Sequence, residues 1–211
     1  MTNPLTTDFN RDLHVFRSPE IIKVVGDAIN FLLKSPVHRL PLGVQFEGAG
    51  IYSIYYKGGF SHYERLAVAN RSAYKRPIYV GKAVPPGWRQ ARKVEVSSNS
   101  LHARLMEHAR NIASADNLRV KNSACRFMIL EGQESNLIST IESELIRRFT
   151  PLWNSVIDGF GNHDPGSGRY NQSPSEWDIL HPGRKWAAKL TGKRPSIDKI
   201  TAKIRRATES F

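Results

Sequence analysis

Cysteine is almost absent from this chain, since Cys125 is the only one among its 211 residues. An intrachain disulfide is therefore impossible, and a zinc site built from several cysteines is excluded. The sequence also lacks an apolar run of the roughly 20 residues that a membrane-spanning helix needs. Residues 1–10 do not show the basic-then-apolar pattern of a secretory signal peptide. We therefore expect a cytoplasmic protein that does not enter a membrane.

Acidic side chains are also scarce. The chain has 19 Asp and Glu against 31 Lys and Arg, which gives a formal net charge of +12. Such an excess repels itself unless an anionic partner is present. Nucleic acid is the commonest partner of this kind, and an anionic membrane surface is the alternative. Hydrophobic residues make up 40% of the chain, which is enough for a real core, and the length suits one elaborated domain over 1–211.

The spacing of apolar residues predicts a mixed fold. We predict helices over 19–34, 100–114 and 135–149, strands over 49–56, 77–82 and 124–131, and a basic helical stretch over 183–206. The order strand, strand, helix, strand, helix indicates an α+β layer structure with a small sheet of about three core strands flanked by helices. The apolar side chains of the first helix favour core packing over a dimer contact.

An acidic side chain falls on the inward face of the helix predicted at 135–149. At about 100° per residue, Glu142 lies within the apolar stripe of that helix, whereas Glu144 points away. A carboxylate on an inward face is costly unless it is paired or binds a cation. The spacing leaves two interpretations open, a salt bridge to a buried Arg and a metal ligand.

The helix predicted at 100–114 has a similar inward polar pair. Leu101, Leu105 and Ile112 line one face, His108 lies within that face, and Arg104 lies at its edge one turn away. A single inward His is usually a structural residue. Together with an inward Glu, however, an Arg that can clamp phosphate and a His that can move a proton supply the parts of a phosphodiesterase.

Short motifs place these residues in a recognisable order. Gly50-Ile51-Tyr52 reads as the first half of a GIY-YIG signature, and Tyr79-Val80-Gly81 reads as the second half with one conservative change. The chain therefore resembles the GIY-YIG nuclease superfamily over residues 49–155. Arg104, His108, Glu142 and Asn154 stand at the superfamily's functional positions. Each motif is weak alone, but the ordered set is specific.

The resemblance implies roles for these residues. Glu142 is expected to hold one Mg²⁺, and Arg104 to donate to the phosphate undergoing attack. Tyr52 is expected to lie beside the attacking water, with His108 accepting its phenol proton. Tyr79 is expected to position a phosphate or water, and Asn154 to anchor the site by hydrogen bonding. Lys82 either contacts the DNA backbone or is simply solvated.

One departure from the superfamily pattern is an insertion. Residues 53–78 separate the two motif tyrosines, where a short hairpin is usual, so the hairpin carries extra chain over 57–76. This segment is either a solvated loop or, as its basic character favours, an arm that contacts DNA. The predicted DNA-binding residues lie here, in the basic loop 83–99 and at the end of the second motif: Arg65, Arg71, Lys75, Arg76, Lys82, Arg89, Arg92 and Lys93.

The chain has no room for a large targeting domain. It instead surrounds the predicted core with an N-terminal helical extension (1–48) and a basic C-terminal extension (156–211). This arrangement resembles the type II restriction endonucleases of the superfamily, in particular the group that cuts CCGCGG. The resemblance implies a homodimer acting on palindromic double-stranded DNA. A homing or repair-type nuclease and a non-catalytic DNA-binding protein are the alternatives.

The C-terminal part of the chain offers a second, looser metal-binding pattern. His163, Asp164, Asn171 and His181 loosely echo an HNH nuclease site. The segment that holds them is rich in Gly, Ser, Pro and Asn, which favours an ordered loop instead.

Overall fold

The computed structural model describes residues 9–85, 88, 98–209 and 211. Its helices are α1 (Pro19–Lys34), α2 (Glu64–Asn70), α3 (Ser100–Ser114), α4 (Ile138–Phe149), α5 (Glu176–Leu180) and α6 (Ile197–Thr208), and its strands are β1 (His38–Arg39), β2 (Gly50–Tyr56), β3 (Tyr79–Ala83) and β4 (Ser123–Ile129). Short 3-10 turns and a π-helical turn at Leu152–Val156 lie between them. None of the helices in this part of the chain has the length and apolarity required to span a membrane.

The strands form one antiparallel sheet in the order β1-β4-β2-β3. The short strand β1 was not predicted from the sequence, and the three predicted strands are confirmed with ends shifted by a few residues. Strand β2 is central and every one of its residues is buried, which suits its β-branched and aromatic composition. Strand β3 lies at the sheet edge and follows the second motif.

The two faces of the sheet bury different cores, because successive side chains of a strand point in opposite directions. Ile51 and Val80 pack against α1 and α4 on one face. Tyr52, Ile54 and Tyr56 pack on the other face, against α3, α6 and the segment after α4. The predicted α+β fold with helices flanking a small sheet is thus confirmed.

Helix α1 begins and ends where the sequence predicts. The Ser18 hydroxyl accepts a hydrogen bond from the Ile21 amide at 3.4 Å, and Pro19 occupies the first turn, where no backbone donor is needed. Val25, Ile29 and Leu32 are buried. Other apolar side chains of the same helix, including Ile22 and Phe31, remain exposed in the chain.

Two predicted elements are corrected. The helix predicted at 135–149 begins only at Ile138, because a 3-10 helix occupies Gly132–Leu137. The basic stretch 183–206 is not one helix: a 3-10 turn lies at Ala187–Lys189, and α6 begins at Ile197. Gly183 with a φ of 137° and Pro195 interrupt the helical pattern.

The insertion between β2 and β3 is partly built into the core. It contains a 3-10 turn at Ser61–Tyr63 followed by α2, whose Leu66 and Ala67 are buried. Asn70 closes the segment, since its side chain hydrogen-bonds the backbone of Tyr56 and Arg76. The insertion is therefore a packed element rather than a free loop.

Candidate active site

The two motif tyrosines lie on the same face of the paired strands β2 and β3. Tyr52 is opposite Gly81 and Ile54 is opposite Tyr79 in the strand register. A Cβ atom at position 81 would lie 2.4 Å from the Tyr52 hydroxyl oxygen, so only glycine leaves room for this hydroxyl. The ring centroids of Tyr52 and Tyr79 are 6.2 Å apart. The glycine of the second motif thus makes space for the tyrosine of the first.

Helix α3 brings His108 against Tyr52. The Tyr52 hydroxyl oxygen and His108 Nε2 are 2.6 Å apart, and both side chains are fully buried. Burial raises the pKa of Tyr52 well above its usual range, and a nearby tyrosine adds to that effect. Burial, together with the charges of Arg104 and Arg184, holds the pKa of His108 well below its usual range. At neutral pH the phenol therefore donates to a neutral imidazole.

Arg104 lies one turn before His108 and is held from several sides. Its Nη1 donates to Glu107 Oε2 at 2.7 Å and to His163 Nε2 at 3.0 Å, and its Nη2 donates to the Gly161 carbonyl at 3.2 Å. Burial is the largest influence on the pKa of Tyr79 and raises it, while the charge of Arg104 lowers it. The guanidinium thus lies next to the motif tyrosines, where a phosphate group would find a cationic donor.

Glu142 lies against the face of edge strand β3 that is opposite to the motif tyrosines. Its Oε2 forms a salt bridge of 2.8 Å with Lys82 Nζ, which also donates to Ser139 Oγ at 3.0 Å. Both charged side chains are partly exposed, at 18% and 24%. The sequence left a buried Arg open as the partner of this carboxylate, and the structure supplies a lysine of β3 instead. The negative charge is still close enough to contribute to the raised pKa values of both motif tyrosines, after burial.

Glu142 suits a magnesium ligand in its chemistry and accessibility. Mg²⁺ usually keeps several waters and takes one or two carboxylates together with substrate phosphates. A partly exposed carboxylate at the sheet edge fits that pattern. Among the described residues no group of three or more His, Cys, Asp and Glu is arranged to hold a metal ion, so a fully protein-built cage is not found there.

Asn154 ties the segment after α4 to the edge strand. Its Nδ2 donates to the Val80 carbonyl and its Oδ1 accepts from the Val80 amide, both at 2.8 Å. These bonds satisfy backbone groups that an edge strand would otherwise leave unpaired. Asn154 therefore fixes β3 between Tyr79 and Gly81.

Three residues that close the site were not predicted to belong to it: Glu107, Phe160 and His163. Phe160 is buried and stacks on His108, with ring centroids 4.6 Å apart and planes 17° apart. Glu107 and His163 contact each other at 2.9 Å and both contact Arg104. Phe160 and His163 lie in a loop, which has no hydrophobic period, and Glu107 lies outside the buried face of α3. The Gly159-Phe160-Gly161 sequence, an aromatic between two glycines, was the available signal.

The HNH-like residues do not come together. His163 contacts Arg104 and Glu107, whereas Asp164 accepts from the Gly166 amide and the Tyr170 hydroxyl. His181 is buried and hydrogen-bonds Tyr63. Burial lowers the pKa of His181 to about 3, so it remains neutral. This arrangement does not support the echo of an HNH site.

The predicted DNA-binding residues fall into three groups. Arg71 and Lys75 are exposed. Arg65 donates to the Thr208 carbonyl, Arg76 lies over the ring of Phe211, and Lys82 is paired with Glu142. Arg89, Arg92 and Lys93 lie outside the described residues. In the basic tail, Arg184 is only 4% exposed and bonds the carbonyls of Gly159 and Phe160, so it is a buried structural residue rather than a surface cation.

Most of the chain is similar to a known protein family. Residues 44–208 match the family described as the Eco29kI GIY-YIG domain, and this match extends well beyond the core predicted at 49–155. A comparison with curated proteins found no match. The family match covers most of the chain and includes both tyrosine motifs, α3, α4 and the loop that closes the site. The chain therefore belongs to the Eco29kI family of GIY-YIG restriction endonucleases, and it is a DNA nuclease.

Proposed function

We propose that this nuclease is a type II restriction endonuclease that requires Mg²⁺ and cuts a short palindromic, G/C-rich site in double-stranded DNA. The resemblance described above makes CCGCGG the expected site. The observation that carries the proposal is the buried hydrogen bond between Tyr52 and His108 beside Arg104. This arrangement supplies a proton path and a phosphate-binding cation within one site.

The proton path follows from the protonation states. In the free enzyme Tyr52 is a neutral phenol that donates to Nε2 of neutral His108. As that proton moves to His108, the phenol oxygen takes one from the water that attacks phosphorus. The bond between the water oxygen and phosphorus forms, the bond to the 3′ oxygen breaks, and the leaving oxygen takes a proton from solvent. Arg104 donates to the phosphate while negative charge develops on it.

Glu142 is the residue that would hold the divalent cation. When bound, the cation would stabilise negative charge on the phosphate and on the leaving oxygen. In the free enzyme the carboxylate is paired with Lys82 at 2.8 Å, so the ammonium would have to move away from it before a cation binds. Ser139 already accepts from Lys82 at 3.0 Å and offers the ammonium a contact away from the carboxylate.

A dimer fits the proposed palindromic site, because two-fold protein symmetry places one active site on each strand. Large apolar side chains near the N-terminus are exposed in the single chain, including Phe9, Leu13, Phe16, Ile22 and Phe31. Monomeric proteins rarely expose many large apolar side chains close together. We therefore propose that these exposed side chains contact a second copy of the chain.

A DNA digest tests the proposed activity. Plasmid and phage DNA containing CCGCGG sites are incubated with the protein in Mg²⁺, and in parallel in EDTA. We expect discrete fragments only with Mg²⁺, with cut ends mapping to one sequence. Scattered nicks would indicate a repair-type nuclease, and intact but bound DNA would indicate a non-catalytic binder.

Matched variants then test the roles of the residues. Tyr52→Phe and Glu142→Gln should each lose cleavage by at least about 100-fold while still binding DNA. Glu144→Gln is the control for the second variant, because Glu144 is on the same helix but is paired with exposed Arg147. Near-normal cleavage by Glu142→Gln would contradict the metal assignment.

A further inference from the structure

The loop Gly159–His163 lies directly against the proposed proton path. Phe160 packs between His108 and Trp153, with ring centroids 4.6 Å and 4.4 Å away. The α-carbon of Gly161 faces the same site, since a Cβ there would lie 3.1 Å from the Tyr79 hydroxyl and 3.4 Å from Arg104 Nη2. This loop is therefore a wall of the active site rather than a surface connection.

The C-terminal extension fixes this loop from behind. Arg184 is buried and donates through Nη1 to the Gly159 carbonyl at 3.0 Å, and through Nη2 to the Phe160 carbonyl. The amide of Trp177 donates to the Asp158 carbonyl at 2.9 Å. Because the loop backbone is held at several points, the side chain at its far end has a defined position.

That side chain, His163, completes a closed set of contacts with helix α3. Its Nε2 accepts from Arg104 Nη1 at 3.0 Å, and its Nδ1 donates to Glu107 Oε1 at 2.9 Å. The other oxygen of Glu107 accepts from the same Arg104 nitrogen at 2.7 Å. An arginine has five N–H donors, and the contacts with Glu107, His163 and Gly161 use both donors of Nη1 and one of Nη2, which leaves the Nε donor and the second Nη2 donor.

We propose that His163 is a positioning residue that, together with Glu107, holds the Arg104 guanidinium so that its remaining N–H groups meet the scissile phosphate. The proposal rests on the proposed role of Arg104 in cleavage. His163 is 66% exposed, so its burial contributes little to the stability of the fold. The position of His163 in the loop therefore matters mainly through its hydrogen bonds to Arg104 and Glu107.

The test measures single-turnover cleavage at saturating DNA. His163→Ala should slow cleavage by about 10- to 100-fold, because a small misplacement of a catalytic group costs that much. Metal-free DNA binding should stay within about twofold, and the melting temperature should be unchanged. His163→Gln, which keeps an acceptor for Arg104, should recover part of the rate. Asp164→Ala is the control, since it alters the same loop without touching Arg104.

Two further measurements separate this role from others. In an Arg104→Ala background, His163→Ala should cause no additional loss of rate, because its effect passes through the arginine. A substrate with sulfur in place of the leaving 3′ oxygen should not restore cleavage by His163→Ala. Restoration would show that His163 acts as the acid for the leaving group and would overturn the proposal.

The outcomes also separate this inference from the proposed function. If Arg104→Ala cleaves as the wild type does, the role proposed for Arg104 fails. If Arg104→Ala is inactive and His163→Ala is fully active, only the positioning role fails. An equal loss in Asp164→Ala would assign the effect to general loosening of the loop and would likewise overturn the role of His163.

Discussion

Tyr52 owes its position to the residue across the strand pair. Its hydroxyl points over Gly81, where a single added carbon would lie 2.4 Å from the phenol oxygen. The phenol can reach His108 only because this space is open. The two three-residue motifs are therefore parts of one steric arrangement, and neither is sufficient alone.

Gly81→Ala tests this arrangement. The added Cβ should push the phenol away from His108 and slow cleavage by about 100-fold, while costing about 1–3 kcal/mol of stability through overpacking. Single-turnover kinetics and urea denaturation give the two quantities. Gly59→Ala is the control, because a Cβ there meets no atom within 4 Å. If Gly81→Ala cleaves at the wild-type rate, the position of the Tyr52 phenol does not limit cleavage.

The sequence predicted Tyr52, Tyr79, Arg104 and His108 as one site, and the structure brings them together. Local motifs and helical spacing were sufficient for this, since Arg104 and His108 lie one turn apart on α3. Glu107 points towards His163 across a large separation in sequence, and no periodic signal marks such a contact. The sequence did not decide whether Glu142 forms a salt bridge or binds a metal. Its pairing with Lys82 could not be predicted, because it depends on how β3 packs beside α4.

At the level of elements, periodic segments were predicted well and irregular ones were not. Helices α1 and α3 have the predicted bounds, because caps and apolar spacing are local properties. No role in the site was predicted for the Gly- and Pro-rich segment after residue 158, yet Phe160 of this segment packs on His108. Its conformation depends on Arg184, whose burial no local pattern in the basic tail indicates.

Arg184→Ala tests whether this arginine is a structural brace. Its Nη1 lies 3.5 Å from Asp178 Oδ1, its guanidinium lies over Trp177, and removing it leaves the Asp178 carboxyl buried without its cation. We expect a loss of about 3–5 kcal/mol in the free energy of unfolding, measured by urea denaturation. Exposed Lys185→Ala should change it by less than about 0.5 kcal/mol.

A second variant keeps this test decisive if Arg184→Ala does not fold. Arg184→Met with Asp178→Leu removes both charges and should recover much of the lost stability, because a buried pair can be replaced by apolar groups. Little destabilisation in Arg184→Ala would mean that the loop is held by its other contacts.

At the scale of the whole molecule, the proposed dimer depends on the exposed apolar side chains near the N-terminus. Ile22→Asp should convert a dimer into a monomer in sedimentation experiments at micromolar concentration, because a buried unpaired charge is costly. Val44→Asp changes a comparably exposed side chain outside that surface and should leave the dimer intact. An unchanged mass for Ile22→Asp would place the contact between chains elsewhere.

The link between Lys82 and Glu142 bears on how this nuclease meets its substrate. An unpaired carboxylate near the proposed site would repel the phosphates of an approaching DNA double helix. Because the Lys82 ammonium contacts the Glu142 carboxylate, its positive charge offsets the carboxylate's negative charge in the free enzyme. In the proposed reaction the DNA strand would bind first, and its phosphate oxygens would then add ligands for the cation that takes the place of Lys82.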